Sequence, residues 1–197
     1  MKTNFKNVIL LLILSTTGML STGLKAQDIK NINPESGTMK LSGTSTMHDW
    51  DMNGTFHIDG KFKMTESTNK LNSVSALNFT LPVENLKSDK KKLDETAYKA
   101  LKTEKFKDIT FKMTHATVTE VIANRYKIVA LGLLTIAGVT RTVSLEVLWI
   151  MNSDRTVLCA GVQKLKMTDY NVDPPSFLGF MKTGDDITLD FSFKFKS

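Results

Sequence analysis

Cysteine is almost missing from this chain of 197 residues: Cys159, in TVLCAGV, is the only one. No internal disulfide can form, so stability must come from core burial. Cys159 itself reads as a small buried hydrophobe, with a reactive thiol as the alternative. Histidine is nearly as scarce. His48, His57 and His115 show neither the i, i+2 nor the i, i+4 spacing of a common metal site. Only a fold that brought His48 and His115 together in its interior would leave room for a metal or haem. Nucleophile elbow, phosphate loop and paired-cysteine motif are all absent. An enzyme would need a Ser or Asp coupled to His48 by the fold, so the expectation is a protein without catalysis, metal or cofactor. Unbalanced charge is lacking as well. The formal net charge is +6, but Lys2, Lys6 and Lys25 fall within the first 26 residues, which carry no acid. The remaining excess is small, and no nucleic-acid partner is expected.

Those first residues have a pattern of their own. Lys2 and Lys6 precede an apolar run over residues 8–14, and small and polar residues follow up to Ala26. This is the arrangement of a secretory signal peptide, residues 1–26. The run is too short for a membrane-spanning helix of about 20 residues, which leaves a retained anchor as the weaker alternative. Cleavage is expected after Ala26, although Leu24 is larger than such sites usually hold. No cysteine lies near the junction to carry a lipid anchor. Residues 27–197 then form one exported domain with a full core. Its expected location is the periplasm, with secretion as the alternative.

What the chain has in abundance is alternation. Residues 48–64 read HDWDMNGTFHIDGKFKM, with Trp50, Met52, Phe56, Ile58, Phe62 and Met64 apolar at even positions and polar residues at every odd one. Successive side chains of a strand point to opposite faces, so this period of two predicts a long half-buried antiparallel strand, or two joined at a bend. His48 shares the parity of Trp50 and belongs to the inward face if the strand is regular there. Gly54 and Gly60 lie on that face too; they permit strong coiling and close approach, or mark ordinary bulges.

The other segments follow the same rule. Met39 and Leu41 mark a first strand, and residues 43–47 shift the parity, so a bend or bulge separates it from the next. Residues 69–72 are turn-like. Leu77, Phe79, Leu81 and Val83 alternate up to Pro82, which cannot donate to a ladder and ends that strand or places it at an edge. Leu93, Ala97, Ala100 and Leu101 then fall at i, i+4, i+7 and i+8, one face of a helix of about three turns, with Ser88 or Asp89 as cap. The lysine-rich run around it reads as a solvated face or as a site of transient contact with an anionic membrane surface. Five strand runs follow, at residues 109–115, 126–136, 143–151, 157–167 and 187–196. Residues 152–155 make a tight connection. Asp185 and Asp186 after Gly184 read as a hairpin turn, and the last strand is expected to pair with an early one. The sum is an all-β protein, an antiparallel barrel of about eight strands with one inserted short α-helix. Charged outward positions exclude a membrane-spanning barrel. A two-sheet sandwich is the remaining alternative.

In GTSTMHDW at residues 43–50, LKTEKFKDITFKM, YKIVALGLLTIAGVTRTVSLEV and MTDYNVDPPSFLGFMKTGDDITLDF the chain resembles the YceI-like family of exported, lipocalin-like polyisoprenoid-binding proteins. Its HDW motif resembles a compact subgroup. The resemblance implies a lipocalin-like barrel with an elongated cavity for a long apolar chain and polar groups near the mouth, His48 standing at the family's frequent early histidine. The residues agree in part. Met52, Phe56, Phe79, Phe111, Met113, Trp149 and Phe191 fall on inward faces, and flexible thioethers among aromatics suit a flexible hydrocarbon; they would equally well fill a core. His48, Trp50, Arg141 in the GVTRT turn and Tyr170 are candidates for a head group. The expected role is an exported binding protein holding an isoprenoid, isoprenoid quinone or fatty-acyl lipid for transport, storage or sequestration. Alternatives are a stress-related interaction module with a filled barrel, and a quinone-dependent electron-transfer partner. A homodimer is left open.

Overall fold

The computed structural model describes residues 27–65, 70–177 and 181–196; the expected signal peptide lies outside them. The elements are β1 (Gln27–Ser45), β2 (Trp50–Thr65), β3 (Lys70–Pro82), α1 (Lys91–Ala100), β4 (Asp108–Ile122), β5 (Arg125–Ile136), β6 (Val139–Met151), β7 (Thr156–Lys166), β8 (Ser176–Phe177) and β9 (Met181–Lys196). Short 3₁₀ turns at Val83–Asn85 and Thr168–Tyr170 follow β3 and β7. Strands β1 to β7 pair antiparallel in chain order, and β9 closes the ring between β7 and β1. The result is a closed eight-stranded barrel, with β8 only a short pairing against β9.

Alternation is realised along the whole of β2: Met52, Phe56, Ile58, Phe62 and Met64 are buried, as are Gly54 and Gly60 between them, while Asp51, Asn53, Thr55, His57 and Asp59 are exposed. On β9, Leu189, Phe191, Phe193 and Phe195 face in. Their rings fill the interior. Phe79 stacks on Phe111 at 5.6 Å, Phe56 lies 5.7 Å from Phe79 and 6.5 Å from Phe193, and Phe62, Trp149 and Phe195 pack edge-on or tilted at 5.1–5.5 Å. Cys159 is fully buried among them, and burial pushes its thiol well up. It is a core residue.

Two ladders are incomplete. Residues 78–82 of β3 pair with 108–112 of β4 at the end of the barrel that carries α1. Residues 148–151 of β6 pair with 157–160 of β7 at the opposite end. Beyond those pairs the strands part, so the ring consists of a five-stranded sheet (β7, β9, β1, β2, β3) and a three-stranded sheet (β4, β5, β6) joined at opposite corners. The barrel is closed, so the two-sheet sandwich is not realised.

Several details differ from the sequence-based expectations. His48 is not on the inward face: β2 begins at Trp50, and His48 is exposed in the preceding turn, its N–H donating to Ser45 Oγ at 3.1 Å. His115 is also exposed, because a register shift between Met113 and His115 hands the inward positions to Ala116 and Val118. Neither histidine points into the barrel. Asp185 and Asp186 lie within β9 rather than in a hairpin turn, and Arg141 lies in β6, after a turn made by Ala137 and Gly138 at positive φ. The N-cap of α1 is Lys90, without a side-chain cap. Ser88 instead donates its N–H and hydroxyl to buried Asp94 at 2.8 and 2.7 Å, tying the approach segment to the first turn.

The point where β6 and β7 part is tight. A Cβ on Gly161 would stand 2.5 Å from the Glu146 carbonyl oxygen and 2.5 Å from the Phe191 ring. Gly161→Ala is expected to lower the urea midpoint by the equivalent of about 1–3 kcal/mol, as overpacking does, and Phe62→Ala by about 3–5 kcal/mol. An unchanged midpoint for Gly161→Ala would show that the strands do not touch there.

Candidate functional site

Helix α1 lies over the end of the barrel where β1, β5 and β7 finish and β2 begins. Between them is an apolar cavity of about 70 Å³. Its roof is the helix face Leu93, Ala97, Ala100 and Leu101, and its wall includes Leu41, Trp50, Met52 and Ile136. Trp50 is placed by Gly43: a Cβ there would fall 2.4 Å from the indole ring, and the indole Nε1–H donates to the Thr44 carbonyl at 3.1 Å. The roof is anchored by Tyr98, whose hydroxyl donates to the Leu86 carbonyl at 2.6 Å.

A further side is a strap, residues 167–172, carrying Met167, Tyr170 and Val172 into the cavity wall, which Pro175, Thr183 and Ile187 complete. Hydrogen bonds from three elements hold it. Asp185 of β9 accepts the Thr168 N–H at 2.9 Å and the Thr168 hydroxyl at 2.7 Å. Arg141 Nε donates to the Asp169 carbonyl at 2.9 Å, and Lys102 Nζ to the Asn171 carbonyl at 3.0 Å. The Thr168 N–H, then its hydroxyl, then the charge of Lys166 hold the Asp185 carboxyl below the usual carboxylate range. Among the described residues, Lys166 is the one charged residue lining the cavity. Its ammonium, 3.0 Å from Asp186, is held above its ordinary value chiefly by that hydrogen bond. Burial raises the phenol of Tyr170; Asp169 adds to this and Arg141 opposes it. Among the described residues, no group of three or more His, Cys, Asp or Glu is placed to hold a metal ion, and no helix is long and apolar enough to cross a membrane.

Residues 31–195 match the family model of the YceI-like domain. The chain belongs to the YceI-like family. No curated protein sequence matches it. Among solved structures, the YceI-like chain is similar to BcnA of Burkholderia cenocepacia, at 17% identity and a TM-score of 0.59, covering 82% of this chain and 96% of that one. A polyisoprenoid-binding domain from Saccharophagus degradans gives 8% identity and a TM-score of 0.56, covering 84% and 99%. The YceI protein of Campylobacter jejuni gives 16% and 0.51, covering 98% and 99%. At these identities the likeness is one of fold.

Of the residues singled out from the sequence, Trp50, Met52 and Tyr170 meet in the wall of the YceI-like cavity. Phe56, Phe79, Phe111, Met113, Trp149 and Phe191 lie deeper, in the packed interior or against it. Trp149 Nε1–H has no hydrogen-bond partner there, a desolvation penalty set against its ring packing. Arg141 is exposed but touches the strap beside Tyr170, whereas His48 stands in the β1–β2 turn. The roof residues were not among the sequence-derived ligand candidates, although the spacing of Leu93, Ala97, Ala100 and Leu101 marked them as one face. Lys166 carried no signal, because its place depends on where β7 ends.

The strap's attachment has a pH signature. A depressed folded-state pKa means that the Asp185 clamp is fully present above the ordinary carboxylate value of about 3.9 and is lost as pH falls through the depressed one. In NMR titrations the Thr168 amide shift is expected to change with a midpoint below that ordinary value. A midpoint at or above it would show that Asp185 does not hold the strap.

Proposed function

We propose that this YceI-like protein is an exported, non-catalytic binding protein that holds an apolar chain-like ligand, an isoprenoid, isoprenoid quinone or fatty-acyl lipid, for transport, storage or sequestration in the periplasm. The observation that carries this reading is the cavity under α1, lined mostly by apolar side chains with Lys166, Tyr170 and Thr183 among them. The ligand class is supported by the polyisoprenoid-binding domain of Saccharophagus degradans, which shares the fold. Export is supported by the signal-peptide pattern of residues 1–26.

Size dictates how such a ligand is held. Pockets for drug-sized ligands run to about 300–1,000 Å³, so a cavity of about 70 Å³ takes only a short stretch of hydrocarbon with its cover closed. A longer chain requires α1 or the strap to move outward. Each buried methylene contributes about 0.8 kcal/mol, and one isoprene unit roughly 4 kcal/mol before ordering costs. Lys166, Arg141 and the Tyr170 hydroxyl would then meet the head group at the rim. The exposed lysines Lys91, Lys92 and Lys99 of α1 are a solvated face able to touch an anionic membrane surface transiently.

The aromatic rings that fill the barrel favour a second reading, a stress-related interaction module with a solid core. Native mass spectrometry of the protein purified from its own periplasm, followed by solvent extraction, separates the two. A stoichiometric isoprenoid or acyl lipid is expected. Protein that is bare, and stays bare after incubation with long-chain lipids and quinones, would establish the solid-core module. Filling the roof by Ala100→Trp is expected to weaken lipid binding about tenfold or more, since displacing about two methylenes already forfeits that much. An unchanged affinity would move the ligand away from α1.

A further inference from the structure

The gap between β6 and β7 reaches the cavity at Lys166, the last residue of β7 and part of the cavity wall. Beyond the contact of Gly161 with Glu146, residues 139–145 of β6 and 162–166 of β7 have no ladder partner in each other, and the strap, which continues from β7 and accepts the Arg141 hydrogen bond from β6, spans the α1 end of that gap. We infer that this gap is a lateral portal through which an apolar chain passes into the cavity, with the strap of residues 167–172 as its movable cover. The inference rests on the proposed binding of an apolar chain.

Three observations converge on it. The inner face of the strap is itself cavity wall: Met167, Tyr170 and Val172 are buried and line the space, so lifting the strap exposes the cavity directly. Its outer attachments are discrete hydrogen bonds: Arg141 and Lys102 donate to strap carbonyls, the Asp185 carboxylate accepts the Thr168 N–H and hydroxyl, and the Asp185 carbonyl accepts the Met167 N–H. Such bonds break one at a time, unlike a continuous ladder. Finally, the other two openings are placed differently. The gap between β3 and β4 lies at the far end, where Leu71 and Val74 are buried and the Leu71 N–H donates to the Tyr126 hydroxyl at 3.3 Å. The way beneath α1 is crossed by the Tyr98 contact with Leu86 and by the Ser88–Asp94 hydrogen bonds, and a lock of α1 tests it separately. At the β6–β7 gap the covering segment reverses direction through Asn171 at φ 53°, so it is a loop laid over the opening and not a strand zipped into it.

The test reads exchange rates. Cysteines introduced by Thr140→Cys and Asp169→Cys, on β6 and the strap beside the Arg141 contact, are joined with a short bis-maleimide; native Cys159 is fully buried and out of reach. The probe is cis-parinaric acid, a fluorescent polyene fatty acid, followed by stopped flow. Locking the strap is expected to slow both uptake and release about tenfold or more with unchanged equilibrium affinity, the signature of a gate. Asp185→Ala, which frees the strap, is expected to speed both. A control lock of α1, Glu84→Cys with Glu95→Cys, is expected to leave the rates alone. Unchanged rates in the strap-locked protein, or slowing by the α1 lock instead, would overturn the portal while leaving ligand binding intact. Failure of the unaltered protein to bind the probe would overturn the binding reading and the portal with it.

Discussion

Only residues 148–151 and 157–160 join β6 to β7, and the arrangement of the α1 end depends on that short ladder. Sheets of L-residues twist, and a barrel closes only when tilt and stagger are shared among all its ladders. Here the β5–β6 and β7–β9 ladders run nearly full length. The mismatch is therefore concentrated in two seams at opposite corners. The seam at the far end is closed by side chains packed from both strands. The seam at the α1 end is closed by a loop, which is the cheaper cover for an exposed edge but leaves backbone groups to be satisfied individually. Asp185, Arg141 and Lys102 are placed where that requirement falls.

The lack of a disulfide gives the rings inside the barrel their importance. With one cysteine in the chain, no covalent link restrains the unfolded state, and the chain of contacts from Phe111 through Phe79, Phe56 and Phe193 to Phe195, Trp149 and Phe62 supplies the burial instead. Rings packed at these distances form a rigid floor. Above it the lining changes to small and flexible residues: Ala97 and Ala100 in the roof, Met52 and Met167 at the sides. The barrel is thus graded along its axis, from a fixed hydrophobic plug to an adaptable end.

Much of this was legible in the residues. The alternation over residues 50–64 gave β2 its inward face at every position, because a period of two has no second interpretation when it is held that long. The same rule failed at His48 and His115 for a shared reason. A turn before Trp50 and a register shift after Met113 each break the phase, and Ser, Thr, Met and His near them carry too little hydrophobic contrast to show it. Gly184 followed by two aspartates imitates a hairpin, yet Asp185 sits mid-strand and reaches across to Thr168. Such a partner, 17 residues away, is set by tertiary geometry alone. The helix was plain from its spacing, but that its face roofs a cavity follows from the position of the β3–β4 connection over the barrel end.

The division between floor and cover also decides what limits a ligand. A chain pushing downward would have to displace stacked rings whose contacts are mutual, so several would be lost at once. A chain pushing outward displaces Leu93, Ala97, Ala100 and Leu101 from partly buried positions, or breaks a few hydrogen bonds of the strap, each to a charged group and worth about 1.5–3 kcal/mol. Against roughly 4 kcal/mol for each isoprene unit buried, the outward movement is offset by two or three units and the downward one is not. Ligand length is therefore governed by how far α1 and the strap can move, while the aromatic floor sets where the chain must stop.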